Sequence, residues 1–221
     1  MLLAENLASI ESEGRRLAAA ARTDPTLRVP QYPEWTLADL AAHTGSIHAR
    51  TVEICRTLPT ERISAPKLTE GRDPVDWFEE TLEEMLSVLE ESDPETPVWG
   101  FGPNPTIGFW ERRMTIETGV HRWDAEQATG RNEPLTLHVA RSGLEEFGDM
   151  WLPFLGEVPP LRVTATDLGE SWVYGEREPE LEVEGAASDV YLPLISRPSI
   201  VELPEAWAEA IGSLKPPPKP A

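Results

Sequence analysis

The sequence predicts an all-α domain followed by a small α/β domain. Three observations predict it. Apolar residues recur at helical spacing through the first ~155 residues. Alternation with a period of two replaces that pattern after residue 160. Proline and glycine clusters separate the segments at intervals that suit whole helices and short strands.

The helices follow in order. Residues 2–22 carry Leu3, Leu7, Ile10, Leu17 and Ala21 near helical spacing and end at Asp24-Pro25. A loop with Pro30 and Pro33 follows. Thr36 is a good N-cap for the second helix, with Asp39 three residues on as an acidic capping-box analogue. The stripe of that helix is Leu37, Leu40, Thr44, Ile47, Thr51, Ile54 and Leu58, and Pro59 stops it. Residues 60–73 are a polar loop. A third helix covers 74–91, with Trp77, Phe78, Leu82, Met85, Leu86 and Leu89 apolar. Residues 92–105 hold Pro94, Pro97, Pro103, Pro105, Gly100 and Gly102 and form a long loop. The fourth helix runs from Thr106 to Thr129, with Gly130 as its C′ residue. A fifth covers 135–151. Strands are expected at 161–166, 170–174 and 180–184, then short helices at 186–195 and 202–211. The tail, residues 215–221, is proline-rich and reads as extended. The expected domains are 1–155 and 156–221.

Composition excludes several function classes. The chain is 40% hydrophobic with eight Trp, enough for a packed core. Nineteen basic residues against 39 acidic ones leave a formal charge of −20, which disfavours nucleic acids and anionic membrane surfaces as partners. No apolar run approaches the ~20 residues of a membrane span. The N-terminus reads as an amphipathic helix with Glu5 already acidic, not as a signal peptide, so a cytoplasmic protein is expected. The single cysteine, Cys55, excludes an internal disulfide and falls among apolar neighbours as a small buried hydrophobe.

Chemistry concentrates on the fourth helix. Ile107, Trp110 and Met114 define its apolar stripe, and Glu117, His121, Ala125 and Ala128 continue it. Two polar groups therefore occupy positions where the pattern calls for core. A buried carboxylate needs a partner or a metal. Residues four apart on a helix are neighbours, so one carboxylate oxygen and one imidazole nitrogen can reach a common ion. The alternative is a simple hydrogen-bonded pair, neutralised by Arg112, Arg113 or Arg122. A third ligand would come from the remaining histidines, His43, His48 and His138. His43 and His48 border the stripe of the second helix about 140° apart, so they do not serve one ion together. The wheel slightly favours His48. His138 begins another helix and reads as a surface residue.

Two segments carry a family resemblance. The first is Tyr32-Pro33-Glu34-Trp35-Thr36-Leu37-Ala38-Asp39-Leu40-Ala41-Ala42-His43. The second spans residues 112–126 and contains Glu117 and then His121-Arg122-Trp123-Asp124-Ala125. Together they resemble the mycothiol-dependent maleylpyruvate isomerase family, part of the wider DinB-like metal-binding bundles. Ala165-Thr166-Asp167, Ser171-Trp172 and residues 185–197 resemble the family's small sterol-carrier-like α/β domain. The resemblance implies an up-down-down-up four-helix bundle. It implies zinc, or another divalent metal, held by His43, Glu117 and His121, which selects His43 over His48. It implies mycothiol as the thiol. In the family's isomerase the thiolate adds to the double bond of maleylpyruvate, and rotation and expulsion of the thiolate give the trans acid. Related transferases leave the thiol attached to a small electrophile.

The resemblance names no catalytic side chain of this chain. Asp124, seven residues after Glu117, is a candidate support for a ligand histidine, with an Asp–Arg ion pair as the equal alternative. Arg122 and Arg197 are candidates for a substrate or thiol carboxylate, with surface ion pairing the simpler reading. Trp35, Trp110 and Trp123 are candidates for a pocket wall and otherwise core, and His48 for a proton carrier or a packed core residue. The expected partners are a low-molecular-weight thiol and a small electrophile, on a monomer or homodimer. Non-catalytic alternatives are a small-molecule binding protein with a structural metal, or a silent dimeric scaffold.

Overall fold

The computed structural model describes residues 2–102 and 104–214; Pro103 and the proline-rich tail at 215–221 lie outside the described residues. The chain divides into two compact units, with the boundary in sequence between Glu133 and Pro134.

The first unit is helical. α1 (Leu2–Thr23) packs on α3 (Pro74–Glu91) and α4 (Ile107–Ala128), and α2 (Leu37–Thr57) packs on α3 and α4. Local chemistry sets the ends. Thr36 Oγ1 accepts from the Asp39 amide at 3.2 Å, and the Asp39 carboxylate accepts from the Thr36 amide at 2.8 Å, which is the anticipated capping box. Leu58 closes α2 in the left-handed region, at φ 47°, immediately before Pro59. Asp73 caps α3 through its side chain, with Pro74 at the first helical position.

A two-stranded ribbon precedes α2: β1 (Arg28–Val29) pairs antiparallel with β2 (Tyr32–Thr36). The sequence pattern predicts only a loop here. So short a ribbon shows no alternation, and its turn places Pro30 between the strands.

α4 is buried on several sides, which explains why polar residues intrude on its stripe. Glu111, Thr115, Thr118, His121, Arg122, Asp124 and Glu126 are all buried. Arg122, fully buried, bonds Glu13 of α1 and donates to Glu126 at 3.0 Å. Arg16 of α1 binds both oxygens of Glu126, each at 2.9 Å. Burial of Arg122, Glu13 and Glu126 is tolerable because each has its partner.

The second unit begins with α5 (Leu137–Met150), which the sequence reading had grouped with the bundle. The apolar face of α5 is covered from its C-terminal side. The Tyr174 hydroxyl donates to the Leu144 carbonyl at 2.7 Å, and Phe147 meets the Tyr174 ring at 4.9 Å. Gly143 lies flat against Tyr191, where a Cβ would sit 2.1 Å from the ring. The sheet order is β4-β3-β5, formed by β3 (Leu161–Ala165), β4 (Glu170–Tyr174) and β5 (Leu181–Gly185), close to the expected strands. β3 is antiparallel to β4 and parallel to β5. The expected helix at 186–195 divides into α6 (Ala187–Tyr191) and a 3₁₀ turn (Leu192–Ile195), because Pro193 lacks the amide that α-helix needs. α7 (Glu205–Gly212) starts later than expected, since Pro204 disfavours helical geometry at Leu203. No described helix is long and apolar enough to cross a membrane.

Candidate metal centre

His43 lies two turns into α2, and its position follows from the capping box that fixes where α2 begins. Glu117 and His121 lie one turn apart on α4. Packing of α2 on α4 brings the three together. Glu117 Oε1 is 3.1 Å from His121 Nε2 and 3.5 Å from His43 Nε2. One donor atom from each residue lies within 4.8 Å of the others, a spread that one divalent ion can bridge.

The surroundings fix each donor. His121 Nδ1 is 3.0 Å from the fully buried Asp124 carboxylate. A proton held at Nδ1 by that carboxylate leaves Nε2 as the lone pair facing Glu117 and His43. Arg113 Nη2 donates to Glu117 Oε2 at 2.6 Å, which leaves Oε1 for the shared position. Trp35 of β2 is buried and packs 4.9 Å from the His43 ring, and Tyr32 stacks on Trp35 at 4.7 Å. The ribbon missing from the sequence reading thus supplies one wall of the site.

Electrostatics agree with a cation site. Burial opposes the charge on Glu117, yet His121, His43 and Arg113 together hold its carboxyl well below the usual range. Burial likewise opposes protonation of His121, but the Glu117 charge and the hydrogen bonds to Asp124 and Glu117 push its pKa up to about 9. Without a metal, a proton on His121 therefore supplies the positive charge that the site calls for. Two imidazoles and a carboxylate suit zinc among several divalent metals.

The other candidates lie elsewhere. His48 is fully buried, 2.9 Å from Thr118 Oγ1 through Nε2, and burial pushes its pKa down to about 3. It is a neutral core histidine. His138 is half-buried on α5. Arg122 serves the ion network of α1 and α4. Arg197 Nη1 donates to the Ile195 carbonyl at 2.7 Å in the second unit. Trp110 faces Trp99 at 5.5 Å, and Trp123 is buried. Burial pushes the Cys55 thiol up to about 11, which makes it an inert core residue.

Comparison with known proteins follows the same lines. No curated protein sequence matches significantly. Two solved structures share the fold: a mycothiol-dependent maleylpyruvate isomerase, with TM-score 0.70, and a histidine-to-alanine mutant of it, with TM-score 0.72. Each is 14% identical, over 92% of this chain and 95% of theirs. The family model described as the mycothiol maleylpyruvate isomerase N-terminal domain matches residues 7–126, more than half of the chain and all of the three-residue cluster. The protein belongs to that family.

Proposed function

We propose that the protein is an enzyme that holds zinc at His43, Glu117 and His121. It uses a low-molecular-weight thiol, mycothiol, for addition or transfer to a small electrophile, including cis–trans isomerisation of a maleylpyruvate-like acid. The observation that carries the reading is the convergence of three donors, with His121 oriented by Asp124 and Glu117 by Arg113. A divalent ion held there supplies the charge that keeps a coordinated thiol ionised, and the thiolate is the nucleophile. The protein's own contribution is positional. Asp124 keeps the His121 proton on Nδ1, Arg113 orients Glu117, and Trp35 with Tyr32 shields His43 from water. A reduced thiol as cofactor supports a cytoplasmic enzyme, since thiols stay reduced there.

The test is turnover of maleylpyruvate by zinc-loaded protein with mycothiol, with glutathione and without thiol, alongside Glu117→Gln. Conversion or thioether formation that needs both thiol and Glu117 supports the reading. Zinc-loaded protein that turns over neither maleylpyruvate nor simple electrophiles with any thiol overturns it in favour of a non-catalytic binding protein with a structural metal.

A further inference from the structure

Arg50 stands apart from the other arginines of the bundle. It follows His43 by seven residues on α2, which is two turns, so both side chains leave the same face about 10 Å apart along the axis. Its guanidinium carbon lies 5.7 Å from the centre of the Trp99 ring and 5.2 Å from that of Trp110. Those rings are held in place. The Trp110 indole N–H donates to the Trp99 carbonyl at 2.7 Å, and the Trp99 amide donates to the Pro59 carbonyl at 2.6 Å. Trp110 itself is fully buried.

Arg50 Nε is buried with no hydrogen-bond partner among the described residues, and no carboxylate there pairs with the side chain. In a chain with twice as many acids as bases, that is an anomaly. The carboxylate whose field it feels is Glu117, already engaged by Arg113 and the histidines, while Arg62 and Arg113 add positive charge. Burial lowers the tendency of Arg50 to hold its proton, but a guanidinium stays charged at neutral pH. The guanidinium carbon lies over both indole rings, which accept no hydrogen bond from Nε, and Nε with the terminal N–H groups forms a fork that fits a carboxylate.

We propose that Arg50 is a specificity-determining residue that receives a carboxylate of the electrophile beside the metal centre. This assignment rests on the thiol-transfer reading above. A neutral electrophile would leave the buried donor unpaired, and such sites discriminate strongly against ligands that lack the matching group.

Maleate and its neutral diester, dimethyl maleate, are the probes, titrated without thiol into zinc-loaded wild type, Arg50→Met and Arg50→Lys and followed by tryptophan fluorescence. The expected result is maleate affinity weaker by about tenfold or more in Arg50→Met, with Arg50→Lys between, and diester binding changed much less. Maleate binding within twofold of wild type in both variants overturns the proposal, as does an equal loss for both probes. Should Arg50→Met not fold, as read by circular dichroism and zinc content, the Arg50→Lys comparison decides alone. If wild type lacks thiol-dependent turnover, the function reading fails, while the maleate selectivity still decides the role of Arg50.

Discussion

At the proposed metal centre, affinity for the ion should be governed by a proton. In the metal-free protein His121 carries it, with a pKa raised to about 9 by Glu117 and Asp124 against the effect of burial. A metal ion needs the neutral imidazole, so binding must expel that proton. The sign follows directly: protonation is favoured below pH 9 and opposes the metal there. At pH 7 the competition spans two pH units, which weakens apparent affinity about a hundredfold, or ~2.7 kcal/mol. Glu117, held ionised well below this range, adds nothing to the slope. The assay is competition with a chromophoric zinc chelator from pH 7 to 9, paired with calorimetry in buffers of different ionisation enthalpy. The association constant should rise about tenfold per pH unit and flatten above 9, with about one proton released per ion at pH 7. An affinity that stays constant across that range, with no proton released, would mean that His121 is already neutral before the ion arrives.

Three further outcomes follow from the packing. Arg122→Met leaves Glu13 buried without its cation and should cost about 3–5 kcal/mol in urea unfolding; a loss below about 1 kcal/mol would mean that the network stabilises little. His48, held neutral in the fold with a pKa near 3, contributes stability that is present above its unfolded pKa and lost as pH falls. Metal-free protein should therefore lose about 2 kcal/mol between pH 6.5 and 5 through this group, and His48→Gln should flatten that part of the curve. Gly143→Ala drives a methyl group into Tyr191 and should cost about 1–3 kcal/mol, read as a lower melting temperature; an unchanged value would mean that α5 shifts freely.

Much of the helical unit was legible because its ends are chemically marked. Thr36 with Asp39, Asp73-Pro74 and Pro59 each fix a boundary through local hydrogen bonds or a missing amide, and local chemistry can be read from a string. Which partner covers a helix cannot. The period of α5 announces an apolar face but not that Tyr174 and Tyr191 cover it. The candidate centre was half legible. Glu117 and His121 stood out because they interrupt an apolar stripe. The choice between the α2 histidines could not be made on a wheel. A wheel ranks residues by how squarely they face the core, and His48 does face it, fully buried against Thr118 and Phe78. A site that must admit substrate lies nearer the edge of the bundle, and there His43, half-buried, reaches Glu117. The family resemblance supplied that choice. Arg113 was one of three arginines open to Glu117 and Trp35 one of three candidate wall residues; the sequence could not choose among them, nor show Tyr32 beside Trp35, because ion-pair choice and ribbon formation depend on tertiary packing. Arg50 had a sequence signal, its heptad spacing from His43, but a surface ion pair would have explained it equally well.

The most direct test is the metal content of protein purified without a metal-binding tag, measured by elemental analysis beside His121→Ala and His48→Ala. About one zinc ion per chain is expected in wild type and in His48→Ala, and loss of it in His121→Ala. Wild-type protein that binds no divalent metal even when zinc is supplied would rule out the metal centre and leave Glu117 and His121 as a buried ion pair held by Arg113 and Asp124.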